Sequence, residues 1–369
     1  MNKRHGMEAA MGIGGGMVSS ASRKNLEKAE DLCRKRKPQL AVPYILKAIQ
    51  DENNLDAFIQ AAFLLHLEGA LEALEAAGLR GRVILKRELG DDCFNDDGGS
   101  VGHFWGILPT RPYMRVLQAL VKVYHDSGRF EDSAKTIIEM LRLCPNDNMG
   151  QRFWLGSLLI RCGRHADALY FAQQWLSDEV RKNGGTLPLG GCTFSAPQNK
   201  LPESASDERS LRWASGQLLY TAALASFKVF GDIPMSRAYL KMAATCNPHV
   251  LLKILAQVKK PPNLNNDPRS MNGPEEAQDY LWLTQDLWME NDVWAWANNN
   301  PDVKDKVLKT CSQGNCGQRE VRVAEYKRCS ACHLVSYCST ACQKEDWPGH
   351  KPACLAHKKQ KETLRAFNR

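Results

Sequence analysis

Apolar positions recur at intervals of three and four residues through most of the first 300 positions, in segments separated by Gly, Pro, Asn and Asp. No stretch there alternates at period two, so the pattern predicts amphipathic helices packed on one another and no sheet. The spacing places helices at 23–35, 38–50, 55–77, 110–127, 130–143, 147–162, 165–182, 207–230, 233–246 and 275–297. Three insertions, 91–109, 183–206 and 260–275, are rich in turn-forming residues, and that composition predicts exposed loops. Residues 1–22 read as a flexible leader.

Two of the turns resemble each other. Ser127-Gly128-Arg129-Phe130 and Cys162-Gly163-Arg164-His165 lie 35 residues apart, and each precedes a small helix residue, Ala134 or Ala168. This period resembles the tetratricopeptide class, in which a small residue lets paired helices approach while large ones fill the facing groove. Trp154-Leu155-Gly156 and Pro145 fit the same scheme. A weaker unit lies at Ala29, Leu32, Ala41, Ile45 and Ala48, and a degenerate one around Gly231, Ala238 and Pro248. The resemblance implies an all-α helical repeat array, tetratricopeptide-like, over residues 23–259. A linker and a Trp-rich helix at 260–300 follow, with Trp282, Trp288, Trp294 and Trp296 expected to cover the last hairpin rather than to stack a ligand.

Composition narrows the class. With 43% hydrophobic and 24% charged residues in 369, the chain is neither disordered throughout nor fibrous. No apolar run approaches the roughly 18–20 residues of a membrane span. Glu8 and the glycines from Gly12 to Gly16 interrupt the apolar stretch that a secretion signal needs. An intracellular protein, cytoplasmic or nuclear, is the expectation. The formal charge is +8, and residues 301–369 hold 14 Lys/Arg against 7 Asp/Glu. Seven thiolates on two divalent ions would take the whole-chain charge to +5, a modest field.

Seven of the 13 cysteines fall between Cys311 and Cys354, as Cys311-x4-Cys316, Cys329-x2-Cys332, Cys338-x3-Cys342 and then His350-x3-Cys354. Eight such donors in short, tight turns provide two tetrahedral zinc sites. The pair Cys338 and Cys342 is expected on one short helix and the pair His350 and Cys354 on another. Four protein donors per ion close each shell, which makes the ions structural. His333 and His357 are competing imidazoles, and spacing alone leaves open whether the sites are sequential or interleaved. The remaining cysteines (Cys33, Cys93, Cys144, Cys162, Cys192 and Cys246) share no spacing and read as reduced thiols.

The cluster resembles the MYND-type zinc finger through Cys329-Ser-Ala-Cys332, Val335-Ser336-Tyr337-Cys338, Cys342-Gln343, Asp346-Trp347 and His350-x3-Cys354. It departs at its first pair, where four residues separate the cysteines and the family more often has two. The resemblance implies a small, mostly irregular double-zinc finger at 311–357. It also implies interleaving: Cys311, Cys316, Cys338 and Cys342 on one ion, Cys329, Cys332, His350 and Cys354 on the other. It further implies recognition of short proline-containing peptides beside Gln343 and Trp347. A basic tail at 358–369 reads as a solvated helix end.

These readings point to a non-enzymatic, zinc-binding adaptor, with a peptide at the finger, a second protein on the array and a setting that includes transcriptional regulation. Neither membrane nor nucleic acid is the expected partner. Two alternatives remain: a nucleic-acid-associated regulator using the tail lysines, and a degenerate SET-type lysine methyltransferase, since some MYND fingers accompany that domain. Against the second, Thr245-Cys246-Asn247-Pro248-His249 has the wrong order for the cofactor turn. His66-Leu67-Glu68 lacks the downstream cysteines of a deaminase, Gly12–Gly16 lacks the Lys of a phosphate loop, and Cys192 has no assignable base.

Overall fold

The computed structural model describes residues 8, 17–178, 180, 186–200, 211 and 214–367. Most of the expected leader, the end of the helix expected to 182 and the start of the one expected from 207 lie outside the described residues. The chain divides into two compact units, 1–198 and 199–369, and the division falls inside the insertion at 183–206. Among the described residues, no helix is long and apolar enough to cross a membrane.

Among the described residues, the first unit carries α1 Ser20–Arg34, α2 Pro38–Ala48, α3 Leu55–Ala62, α4 Leu67–Leu89, α5 Arg111–Asp126, α6 Phe130–Leu143, α7 Arg152–Arg161 and α8 His165–Leu176. Packing runs mainly between helices consecutive in the chain. Ala29 of α1 meets Ala41 and Ile45 of α2 in a shared core, where the small side chains allow close approach. The two Gly-Arg turns are built alike. Gly128 and Gly163 both take positive φ, and the Arg129 and Arg164 amides donate back to Tyr124 and Leu159. Arg129 and Arg164 then bind Asp132 and Asp167 through their Nε atoms, at 2.7 and 2.8 Å. Ala134 and Ala168 are fully buried. Between α3 and α5, Arg115 makes a two-pronged ion pair with Asp56, both bonds 2.7 Å.

Several expectations need correction. The segment 55–77 is two helices that break at Phe63–His66, and the second runs on to Leu89. The helix expected from 147 starts at Arg152, because Asp147 folds into a turn and its carboxylate accepts the Gln151 and Arg152 amides. Insertion 91–109 is exposed only in part: Cys93, Phe94 and Phe104 are buried, and the two rings pack edgewise against Tyr113 of α5. Part of 183–206 is buried too, since Leu187, Gly190, Gly191 and Cys192 line a short turn held by the Trp175 indole.

In the second unit, α9 Gly216–Phe230 is buried from Gly216 to Ser226 and packs against α10 Pro234–Cys246 and α12 Pro274–Trp288. A further helix not among those expected, α11 Pro248–Leu255, follows with Pro248 at its first position. The helix expected at 275–297 is divided at Met289–Glu290 into α12 and α13 Asn291–Asn298, and a short α14, Pro301–Lys304, follows. Trp288 and Trp296 are buried and stack in a ladder with Phe227, while the Trp288 indole donates to the Tyr280 hydroxyl. The chain then enters an irregular region with a two-residue antiparallel pair, β1 Lys327–Arg328 and β2 Ser336–Tyr337, and ends in α15, Thr340–Phe367.

Candidate metal centre

The irregular region is held by its backbone before any ion is considered. Cys311 N donates to Gln318 O and Ser312 N to Ser336 O, both at 2.8 Å, which lays residues 310–319 beside β2. Buried Glu320 binds the Lys309 amide at 2.8 Å with one carboxylate oxygen and the Tyr326 amide at 2.9 Å with the other. Ser339 starts α15: its hydroxyl accepts the Cys342 amide at 3.2 Å. The Tyr337 hydroxyl reaches Asp346 on α15 at 2.6 Å and locks the helix to the strand pair. Glu320 and Ser339 carry no sequence signal of these roles, and Tyr337 and Asp346 stand out in the sequence only through the resemblance.

This scaffold gathers eight donors into two groups. Cys311, Cys316, Cys338 and Cys342 form one, and Cys329, Cys332, His350 and Cys354 the other; within each, all donor atoms lie within 4.8 Å of one another. Zn–S bonds of about 2.3 Å in a tetrahedron separate sulfurs by about 3.8 Å. The sulfurs of Cys316 and Cys338 are 3.6 Å apart, those of Cys338 and Cys342 3.5 Å, and those of Cys329 and Cys354 3.8 Å. His350 Nε2 is 3.4 Å from Cys332 Sγ. Donor types, number and spacing fit two zinc ions, and the sites interleave along the chain.

The four-residue spacer of the first pair is absorbed by a turn in which Cys316 N donates to Gln313 O and Gly317 takes positive φ. His333, with positive φ just after a ligand, is exposed, and neither it nor His357 enters a donor group. One expectation fails. Cys338 precedes the helix, and Cys342, His350 and Cys354 share the single helix α15 instead of two short ones.

Clustering sets the thiol acidities. Burial opposes ionisation of Cys329, but the Cys332 amide and His350 outweigh it and bring the thiol down to about 6. Cys311 is brought down to about 7 against the same opposition, by amides including that of Cys338. Neighbouring sulfur pushes Cys338 up to about 12, through Cys342 first, and burial, followed by Cys329, pushes Cys354 up to about 11. Zinc takes its sulfurs as thiolates, so thiol protons leave as the ion binds.

The comparisons agree with this geometry. Residues 309–354 match the MYND finger family. This region is a MYND finger. Two F-box proteins of Arabidopsis thaliana are each 50% identical to the chain over 48 residues, 13% of this chain and 14% and 13% of theirs. The SET domain and MYND-type zinc finger protein 6 of Schizosaccharomyces pombe is 43% identical over 56 residues, 15% of this chain and 11% of its own. The chain therefore spans less than one sixth of the length of these relatives. No solved structure matches. A MYND finger is a protein-interaction module, so proteins are the partners it suits.

Proposed function

We propose that the chain is a non-catalytic adaptor whose finger takes a short proline-containing peptide against Gln343 and Trp347, while its helical segments hold a second protein. One observation carries this reading: eight donors turn inward on two closed sites, and Trp347, on the helix that supplies three of them, stays 39% exposed. Full protein coordination leaves no position for water or substrate, so the ions brace a surface. Gln343 precedes Trp347 by one helical turn and shares its face. Among the described residues, no hydrogen bond engages the Gln343 side-chain amide. A proline-rich peptide is already extended, so an aromatic face and an amide can read it with little ordering cost.

The matching turns at Gly128 and Gly163 support a tetratricopeptide-like reading of residues 23–259, whose stacked hairpins present an extended surface to a partner. The setting proposed is intracellular, cytoplasmic or nuclear, and includes transcriptional regulation. Anisotropy of labelled proline-rich peptides, titrated with the zinc-loaded full chain, tests the finger. Trp347→Ala is expected to abolish binding with both ions retained, and Gln343→Ala to weaken it. Undiminished binding by Trp347→Ala refutes the assignment.

A further inference from the structure

We infer that the solvent face of α4 pairs with the same face of a second copy of this chain, antiparallel, with Leu79 on the two-fold axis. The inference rests on the first unit alone and is independent of the finger. The inner side of α4 buries Ala70, Leu74, Ala77, Gly81, Ile84 and Leu85. The outer side carries Glu72, Ala76, Leu79, Val83 and Lys86, all exposed, at steps of four, three, four and three. At 3.6 residues per turn these five fall within about 80° of one another, a single stripe. Leu79 is 70% and Val83 67% exposed, two large apolar side chains side by side on a helix that has other residues available for solvent.

Charge selects the occupant. Glu72 and Lys86 stand seven residues to either side of Leu79, with opposite sign. When a second α4 is laid antiparallel with Leu79 over Leu79, each Glu72 faces Lys86 of the other copy, twice over by symmetry. A parallel copy would oppose like charges. Neither Glu72 nor Lys86 has an ion-pair partner among the described residues, so both charges are available. Ala76, small and exposed, lets the backbones approach beside the Leu79 and Val83 cluster. A 23-residue helix is about 34 Å long. With a contact strip about 10 Å wide it buries roughly 340 Å² per copy, under the ~800 Å² of a stable interface. The pair is therefore weak and concentration-dependent.

Sedimentation velocity of the full chain, loaded from about 5 to about 500 µM, tests the inference. The weight-average coefficient is expected to climb from monomer towards dimer across that range. Leu79→Lys is expected to hold the protein at the monomer value. Glu72→Lys and Lys86→Glu each place like charges across the axis and weaken association by about tenfold, and the double swap restores it. All three positions are exposed, so circular dichroism should show unchanged folding in every variant. A monomer throughout the range overturns the inference, as does a double swap as weak as either single one.

Discussion

Removal of one sulfur tests whether the two metal sites are a single structural unit. Cys332→Ala leaves Cys329, His350 and Cys354 around a site that has lost one of its four donors. Between residues 309 and 354, Tyr337 is the one buried apolar side chain that is not also a ligand. Its burial, roughly 200 Å² at about 25 cal/mol per Å², is worth about 5 kcal/mol. A structural zinc supplies about 10–16 kcal/mol in small domains of this kind, so metal decides whether the region folds. Interleaving carries the effect to the other site. Cys316 and Cys338 are separated by 22 positions in the chain, and both Cys329 and Cys332 lie between them. With the second site unformed, the first must close that loop unaided. By the closure entropy used for cross-linked chains, this costs about 3 kcal/mol, a factor on the order of 10² in affinity. At saturating zinc the variant is expected to hold one ion per chain, and a chromogenic chelator should strip that ion at correspondingly lower concentration. Far-ultraviolet dichroism should retain the helical signal of residues 20–304 and lose part of α15. Two ions in the purified variant, or one held as tightly as in the parent, would refute the coupling.

Two further expectations concern the helical units. Gly81 lets α4 approach α5 so closely that a Cβ would lie 2.6 Å from Tyr113 Cδ2 and 3.1 Å from Leu55 Cδ1. Gly81→Ala should therefore lower stability by about 1–2 kcal/mol, the overpacking outweighing the gain in helix propensity of about 1 kcal/mol; an unchanged or raised urea midpoint contradicts this. Arg237, bonded at 2.6 and 2.7 Å, and then the Trp296 indole at 3.0 Å hold the Asp232 carboxyl below its ordinary value. A depressed folded-state value gives stability that is present above the unfolded value of about 3.9 and is lost as pH falls through the folded one. Asp232→Asn should therefore cost at most about 1 kcal/mol near neutrality, the pair being partly exposed, and this difference should shrink as pH falls through the folded-state value. A difference that persists at low pH points to lost packing instead.

What could be read from the sequence follows the kind of constraint each residue is under. Gly128 and Gly163 were legible because their positive φ is a demand that few residues other than glycine meet. The metal donors were legible because zinc accepts few side chains in few spacings. Which donors share an ion was not legible from spacing, since tetrahedral geometry is satisfied by more than one partition; the family resemblance implied the interleaved one, and the donor groups of the structure agree with it. The fusion of α3 with α4 came from Phe63, Leu65 and Leu67, which continue the apolar rhythm through a break where all three are exposed. Conversely, the Asp- and Gly-rich stretch 91–109 concealed Phe94 and Phe104, whose rings bury the loop despite its polar composition. Residues such as Glu320, which acts by receiving two backbone amides, carry no periodic or compositional signal at all.

The helix α15 joins these levels. Pro348 and Pro352 lie inside it and carry no amide hydrogen, so the carbonyls of Lys344 and Pro348 lose their usual partners four residues on. A helix so weakened has little reason to persist alone in water. It is clamped instead: Cys342 near its start belongs to one metal site, and His350 and Cys354 further along belong to the other. Trp347 sits between the clamps, with its ring 5.9 Å from the His350 imidazole. Neither ion alone fixes both ends of that stretch, whereas the two together hold Gln343 and Trp347 on one face. The surface proposed for a peptide is thus a property of the pair of sites, which is the physical reason for interleaving them along so short a length of chain.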